Sequence, residues 1–244
     1  MIKYSEQESK IFGVPFGRVD LEKDFVEWKK LKEEISESDC KYVRLRIQSP
    51  RSSDLEEINA LAKKTHLLEI LRVYRSYDVP VENIHRDLRF EKVNNTNTHL
   101  LGTILTETYD DIPFGNYTPS SILKVFPREI QLNALKEYFV QNYTGTTPEK
   151  IGYIIYDHLE NAVGCLLTDF GINSTYTYYI GIKKEHRSNQ IFFRVINFIY
   201  FFTKQSNLLY GECAARISNS HSQNALEKSN MKFVRYDWVH LIEK

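Results

Sequence analysis

Three apolar runs, IGYIIYDH, AVGCLLTDF and STYTYYIGI, follow one another between residues 151 and 182, parted only by the short turns 159–161 and 171–173. A crossover between parallel strands needs a dozen residues or more, so strands joined this tightly run antiparallel. The sequence therefore predicts a three-stranded meander, and the rest of the chain has to be arranged around it.

Upstream, an apolar start containing IFGVPFGRVDL precedes residues 22–36, whose helical periodicity leaves charged side chains outward. KYVRLRI alternates polar and apolar residues as a half-buried strand does, residues 53–64 open on a Ser cap and continue as a helix, and LLEILRVYRSYDVP reads as a strand or two. That rhythm predicts a small α/β unit. Asn94, Asn95 and Asn97 with their Thr neighbours make a polar break, which places a boundary between domains 1–95 and 96–244.

Beyond the break, residues 99–106 read as a strand, 109–121 as irregular and 127–142 as a helix with a Tyr-rich face. After the meander comes the charged loop EHRSNQIF, and then a helix over 191–205. Its polar residues Arg194, Asn197, Lys204 and Gln205 form one narrow stripe, so most of its circumference must be covered. NLLYGECAA is a further strand, 222–229 a short helix and FVRYDWVHLI an alternating final strand.

Composition narrows the classes of function. Lys plus Arg and Asp plus Glu are both 32 in 244 residues, so the excess of positive charge that binds nucleic acid is missing. The longest apolar run, 191–202, is shorter than the ~20 residues of a membrane span and contains Arg194 and Asn197, which argues for no membrane partner. The three cysteines, Cys40, Cys165 and Cys213, lie far apart, nothing resembles a secretory leader, and a reducing cytoplasm is the expected location. Seven scattered His without ligand spacing predict no metal.

The order of elements, with a loop between the third meander strand and an apolar helix, resembles the Gcn5-related N-acetyltransferase (GNAT) fold. YIGIKKEHRSNQIFFRVINF is similar to the family's acyl-CoA segment, with Arg187 opening the Q/R-x-x-G-x-G/A loop. SNSHSQNALEKSNMKFV is similar to the stretch N-x-x-A-x-x-x-Y-x-x-x-G-F, with Asn219, Ser222, Leu226, Asn230 and Met231 at its marked positions. The opening ESKIFGVPFGRV resembles the start of one branch, the dTDP-amino-sugar N-acyltransferases of dTDP-fucosamine acetyltransferase type. In that branch an α/β unit of similar size precedes the GNAT domain.

The resemblance implies an α/β (α+β) fold: a mixed, mostly antiparallel sheet flanked by helices, behind a smaller N-terminal α/β domain. It implies a cytoplasmic transferase that moves an acetyl or larger acyl group, such as hydroxybutyryl, from acyl-CoA to a dTDP-linked amino-dideoxyhexose in surface-polysaccharide (O-antigen) synthesis. Acyl-CoA is then a co-substrate held by Ile180, Ile182, Arg187, Ser188, Asn189, Gln190, Ile191, Phe192, Asn219 and Leu226. Main-chain NH groups near Ile180 and Gly181 would stabilise the oxyanion, with Gly181 suited to a bulge, and Asp169 is the candidate proton acceptor. The sugar nucleotide would meet Tyr109, Asp110, Phe114 and Tyr117. A homodimer would cover the apolar helix as well as the N-terminal unit would.

The departures matter as much as the matches. Gln190 and Phe192 replace both loop glycines, and no glycine falls between Gly181 and Gly211. Amide donors at a helix start can still hold a diphosphate if the larger side chains point away, which requires Phe192 to turn inward. Leu226 stands where the family often places a tyrosine that protonates the leaving thiolate, and leucine has no proton to give. Asn230 suits a left-handed helix end. A GNAT-shaped binding module without catalysis, or an enzyme for another amine, therefore stays open beside the sugar reading.

Overall fold

The structure, a computed structural model, describes residues 2–22, 27–62, 64–76, 87–108, 128–145, 148–187 and 189–244. The chain forms two compact units. The first takes Met1–Arg72, Asp111–Leu135 and Arg235–Lys244, and the second takes Val73–Asp110 and Lys136–Val234.

In the first unit, β1 (Lys3–Tyr4) and β2 (Phe16–Leu21) pair antiparallel across α1 (Glu6–Phe12), which Ser5 caps and Gly13 ends at φ 65°. Gly13 is needed there because a Cβ disfavours the left-handed conformation. β3 (Tyr42–Gln48) runs parallel to β2 after α2 (Trp28–Glu37), the crossover that the helical stretch near residues 22–36 foretold. α3 (Ser52–Ala60) leads to β4 (Lys64–Ser76), whose residues 64–72 lie in this unit. The last strand, β10 (Lys232–Glu243), returns antiparallel to β3 and lies between it and β4. Alternating residues of these strands, Val43, Leu45, Ile47 and Ile242, bury against Leu31, Ile35 and Ile58 of the helices. Asp237 of β10 is fully buried and is held by Arg46 and by Arg235, so its charge is compensated where water cannot reach it.

The second unit contains the predicted meander. β6 (Lys150–Asp157), β7 (Ala162–Phe170) and β8 (Ser174–Ile182) pair antiparallel in sequence order, and β5 (Leu88–Lys92) pairs antiparallel with the outer side of β6. β9 (Tyr210–Arg216) is parallel to β8, and the end of β4, from Val73, lies beside β9. Between β8 and β9 runs α6 (Asn189–Gln205); α7 (Ser220–Lys228) follows β9, and α5 (Arg128–Asn142), whose residues from Lys136 lie in this unit, precedes β6. α6 buries Val195, Ile196, Ile199 and Tyr200 in the core with Ile155, Leu166, Cys213 and Leu226, and Phe198 stacks on Phe90 with ring centres 3.9 Å apart.

One element departs from expectation. Residues 99–106, expected as a strand, lie in helix α4 (Thr98–Thr108), which packs on β7 and β8. Ile and Thr suit strands and Gly102 disfavours a helix interior, although Leu favours one. But Leu101, Ile104, Leu105 and Thr108 share one helical face and are all buried, so tertiary packing overrides local preference. The polar residues Asn94 to Asn97 are the turn joining β5 to α4, where the Asn97 side chain accepts from Asn94 N at 2.8 Å.

Adjacent residues of β8 face opposite ways, which sets the two sides of the sheet. Ile180 and Ile182 pack toward the core that holds α6, whereas Gly181 lies under α4, where an added Cβ would stand 2.5 Å from Thr108 Oγ1.

Candidate functional site

β8 and β9 pair only from Ser174–Tyr210 to Thr177–Cys213, although β8 continues to Ile182 and β9 to Arg216. Directly after the last pair, β8 carries an extra residue: Thr168 of β7 partners Thr177, Leu167 partners Tyr179, and Tyr178 is the bulge between them. The bulge expected at Gly181 is therefore at Tyr178. Gly181 itself stays in register with Cys165, and its missing side chain makes room for α4. A bulge twists its strand, so it marks the place where β8 turns away from β9.

The loop beyond β8 is short and ordered by its own bonds. Lys183 N donates to Val163 O at 2.9 Å, residues 184–186 make a single 3-10 turn, and Arg187 Nε donates to Ile182 O at 3.0 Å. Asn189 opens α6. Ile191 and Phe192 are half-buried against the second unit's core, so the aromatic ring at the second lost glycine does turn inward, and Gln190 is exposed. The Phe192 ring is thus turned away from the start of α6.

Beside that start is a cavity of about 620 Å³ lined by Gln190, Phe193, Arg194, His221, Asn224 and Lys228. Arg194 pairs with Asp87 at 2.8 Å. α7 supplies the other wall and is fixed at its N-terminal end. Asn219 accepts from Ser222 N at 3.0 Å as its N-cap, and Gln223 Nε2 donates to Arg216 O and Ile217 O at 2.9 and 2.8 Å. Asn230, just past the helix, takes the left-handed conformation at φ 59°, as its position suggested. With Lys228, an Arg194 shared with Asp87, two amides, an imidazole and the positive end of α6, the chemistry of the lining suits a phosphate-rich ligand.

The remaining candidates spread more widely. Leu226 is buried in the core. Asp169 is half-buried at the end of β7, where its Oδ1 accepts the hydroxyl of Tyr143. Burial, with the Asp169 charge second, pushes that phenol far above its ordinary range, so Tyr143 stays protonated and keeps donating. Tyr109, Asp110, Phe114, Tyr117 and Ser188 lie outside the described residues. Sequence reading did not select Arg194, His221, Asn224 or Lys228 as ligand-facing. Their common spacing of three to four residues on two helices was the available signal.

At the end of the β8–β9 ladder stands Cys213, buried, its thiol pushed up to about 12 chiefly by desolvation. Cys165 is raised to about 12 for the same reason. Neither is a ready thiolate at neutral pH. Among the described residues no group of three or more His, Cys, Asp or Glu is placed to hold a metal. No helix among them is long and apolar enough to cross a membrane.

No family model matches the chain, and no curated protein does. Solved structures do. A GCN5-related N-acetyltransferase from Kribbella flavida superposes with a TM-score of 0.60 at 7% identity, covering 95% of this chain and 82% of that one. The chain has the GNAT fold. The GNAT N-acetyltransferase from Sphaerobacter thermophilus matches at TM-score 0.56 and 11% identity over 83% of this chain, which spans 59% of that longer protein. A functionally unknown conserved protein from Staphylococcus epidermidis matches at TM-score 0.62 and 12% identity over 99% of this chain and 90% of its own. The cavity lies between α6, the helix after β8, and α7, the helix after β9.

Proposed function

We propose that the protein transfers an acyl group directly from acyl-CoA to an amine. The observation that carries this reading is the combination at one end of the second unit: a β8–β9 ladder that stops at a bulge, and a cavity beside the start of α6 lined by Arg194 and Lys228. The diphosphate would meet the first amides of α6, and the nucleotide would enter the cavity with Arg194 and Lys228. The amide-bearing arm would run along β8 from Ile182 toward Ile180, pairing as an added strand does. Bound acyl-CoA supplies the activated thioester. The chain supplies alignment and, from the stretch of β8 at Ile180 and Gly181, main-chain donors for the oxyanion.

Direct transfer is favoured over an acyl-cysteine route because Cys213, the thiol at the end of the ladder, is held protonated. Loss of a proton donor at Leu226 is tolerable, since a thiolate of ordinary pKa ~8.5 leaves without full protonation near neutrality. The acceptor is proposed as a dTDP-linked amino sugar on the resemblance of ESKIFGVPFGRV alone.

The test is thermal unfolding with acetyl-CoA, longer acyl-CoAs and free CoA, each with and without dTDP. A ligand at 100 times its Kd adds ~2.7 kcal/mol, which reads as a clear rise in Tm. A rise with acyl-CoA that disappears in Lys228→Glu is expected. No rise with any CoA species overturns the reading, and a response to CoA without one to dTDP removes the sugar nucleotide alone.

A further inference from the structure

The sheet face away from α6 carries ionisable side chains that the cationic cavity does not use. Lys150, Asp169, Tyr176 and Glu212 are successive register partners on β6, β7, β8 and β9, so they form a row across four strands. Their chain neighbours Thr168, Thr177 and Cys213 make the parallel row beside it, and Cys213 belongs to the core with α6. Alternation therefore puts Asp169, Tyr176 and Glu212 on the other side. Each end of the row is fixed. Tyr143 holds Asp169, Lys150 donates to the Tyr138 hydroxyl, and Arg75 of β4 binds Glu212 Oε1 through Nε at 3.0 Å and Nη2 at 2.6 Å. The Arg75 guanidinium also lies 3.9 Å over the Tyr210 ring.

Glu212 is singled out by its place. It directly precedes Cys213, the last residue at which β8 and β9 pair, and its partner Tyr176 stands two residues before the bulge. A carboxylate only 9% exposed is costly in a sheet unless its charge is used or matched, and the Arg75 clamp fixes where that charge stands. Asp169 is two strands away, roughly 10 Å at the usual strand spacing, and its carboxylate is engaged by Tyr143, the residue just past α5.

Given the acyltransferase reading, on which this rests, we propose that Glu212 receives the protonated primary amine of the acceptor and takes its proton, with Arg75 as the positioning residue. The ammonium loses one proton to Glu212, and the nitrogen lone pair then forms the C–N bond to the thioester carbonyl. Collapse of the tetrahedral adduct breaks the C–S bond. The second nitrogen proton passes to the departing thiolate, and the proton on Glu212 leaves to water. Amide, free CoA and one released proton balance the reaction. The acceptor class is a cationic primary amine entering from the face opposite the cofactor cavity.

The experiment follows CoA release from acetyl-CoA with a coloured thiol reagent, using the full chain and a panel of ethanolamine, glucosamine, lysine amide, putrescine and spermidine. At least one amine should raise release above the blank. Glu212→Gln should lower kcat 100-fold or more while leaving the KM and the Tm shift for acetyl-CoA unchanged, with part of the rate restored in Glu212→Asp. Arg75→Lys keeps the charge but loses the fork, and should move the acidic limb of the kcat–pH profile. If Glu212→Gln does not fold, that limb decides. A Glu212→Gln protein with wild-type kcat, an unmoved limb in Arg75→Lys, loss of turnover in Asp169→Asn but not Glu212→Gln, or binding of acetyl-CoA with no amine accepted each overturns the assignment. A wild-type protein that fails to bind acetyl-CoA removes the acyltransferase reading itself.

Discussion

His240 gives the first unit an acid sensitivity that can be worked out in advance. It lies on β10 opposite Leu45, 4% exposed, with its ring 6.3 Å from that of Trp238, and its Nε2 has no hydrogen-bond partner among the described residues. Burial alone lowers its pKa to about 4, against ~6.5 in an unfolded chain. The unfolded state therefore binds a proton that the folded state refuses. The stability is fully present above pH ~6.5 and is lost as the pH falls toward 4. The full linkage is about 3 kcal/mol, of which about 2 kcal/mol disappears between pH 7 and pH 5. The assay is urea unfolding followed by tryptophan fluorescence, which reports this unit alone because Trp28 and Trp238, the two tryptophans of the chain, both belong to it. His240→Phe keeps a flat ring and removes the proton site, so its stability between pH 7 and pH 5 should fall about 2 kcal/mol less than that of the wild type. Equal losses in the two proteins would refute the argument that desolvation at this position governs the titration.

Other outcomes follow from the second unit. An added Cβ at Gly164 would run into the Gly181 carbonyl oxygen, a backbone atom that cannot swing aside, so Gly164→Ala should cost about 1–3 kcal/mol by thermal unfolding. Asn219→Ala removes the N-cap of α7 and should cost about 1 kcal/mol, with acetyl-CoA affinity weakened because α7 walls the cavity. Leu226→Ala leaves a hole in a close-packed cluster and should cost about 2–5 kcal/mol, whereas Leu226→Met should be nearly neutral. Cys165 and Cys213 should resist a thiol reagent at pH 8 in the folded protein and react quickly in denaturant; fast labelling of either in the native state would contradict their burial.

Much of this molecule was legible in local pattern. Period-two alternation marked β3 and β10, short turns marked the meander, and the apolar sweep of 191–205 correctly implied a helix covered on most sides, with Phe192 turned to the core. These properties belong to one segment and its preference for a buried face, so a single stretch of chain determines them. The expected fold of strands and helices around the meander followed from their order.

What sequence could not decide is which distant pieces meet. α4 was misread because Ile, Thr and Gly102 weigh locally against a helix, while the face that decides it, Leu101, Ile104, Leu105 and Thr108, is buried on β7 and β8; and the bulge falls at Tyr178, where β8 and β9 stop pairing, not at a glycine. The partners that give the polar residues their roles are Arg75 with Glu212, Tyr143 with Asp169, and Arg46 with Asp237; they lie 137, 26 and 191 residues apart. No periodicity links such positions. Each pair exists because strand register carries one charge or hydroxyl to another in a place where burial makes leaving either alone costly.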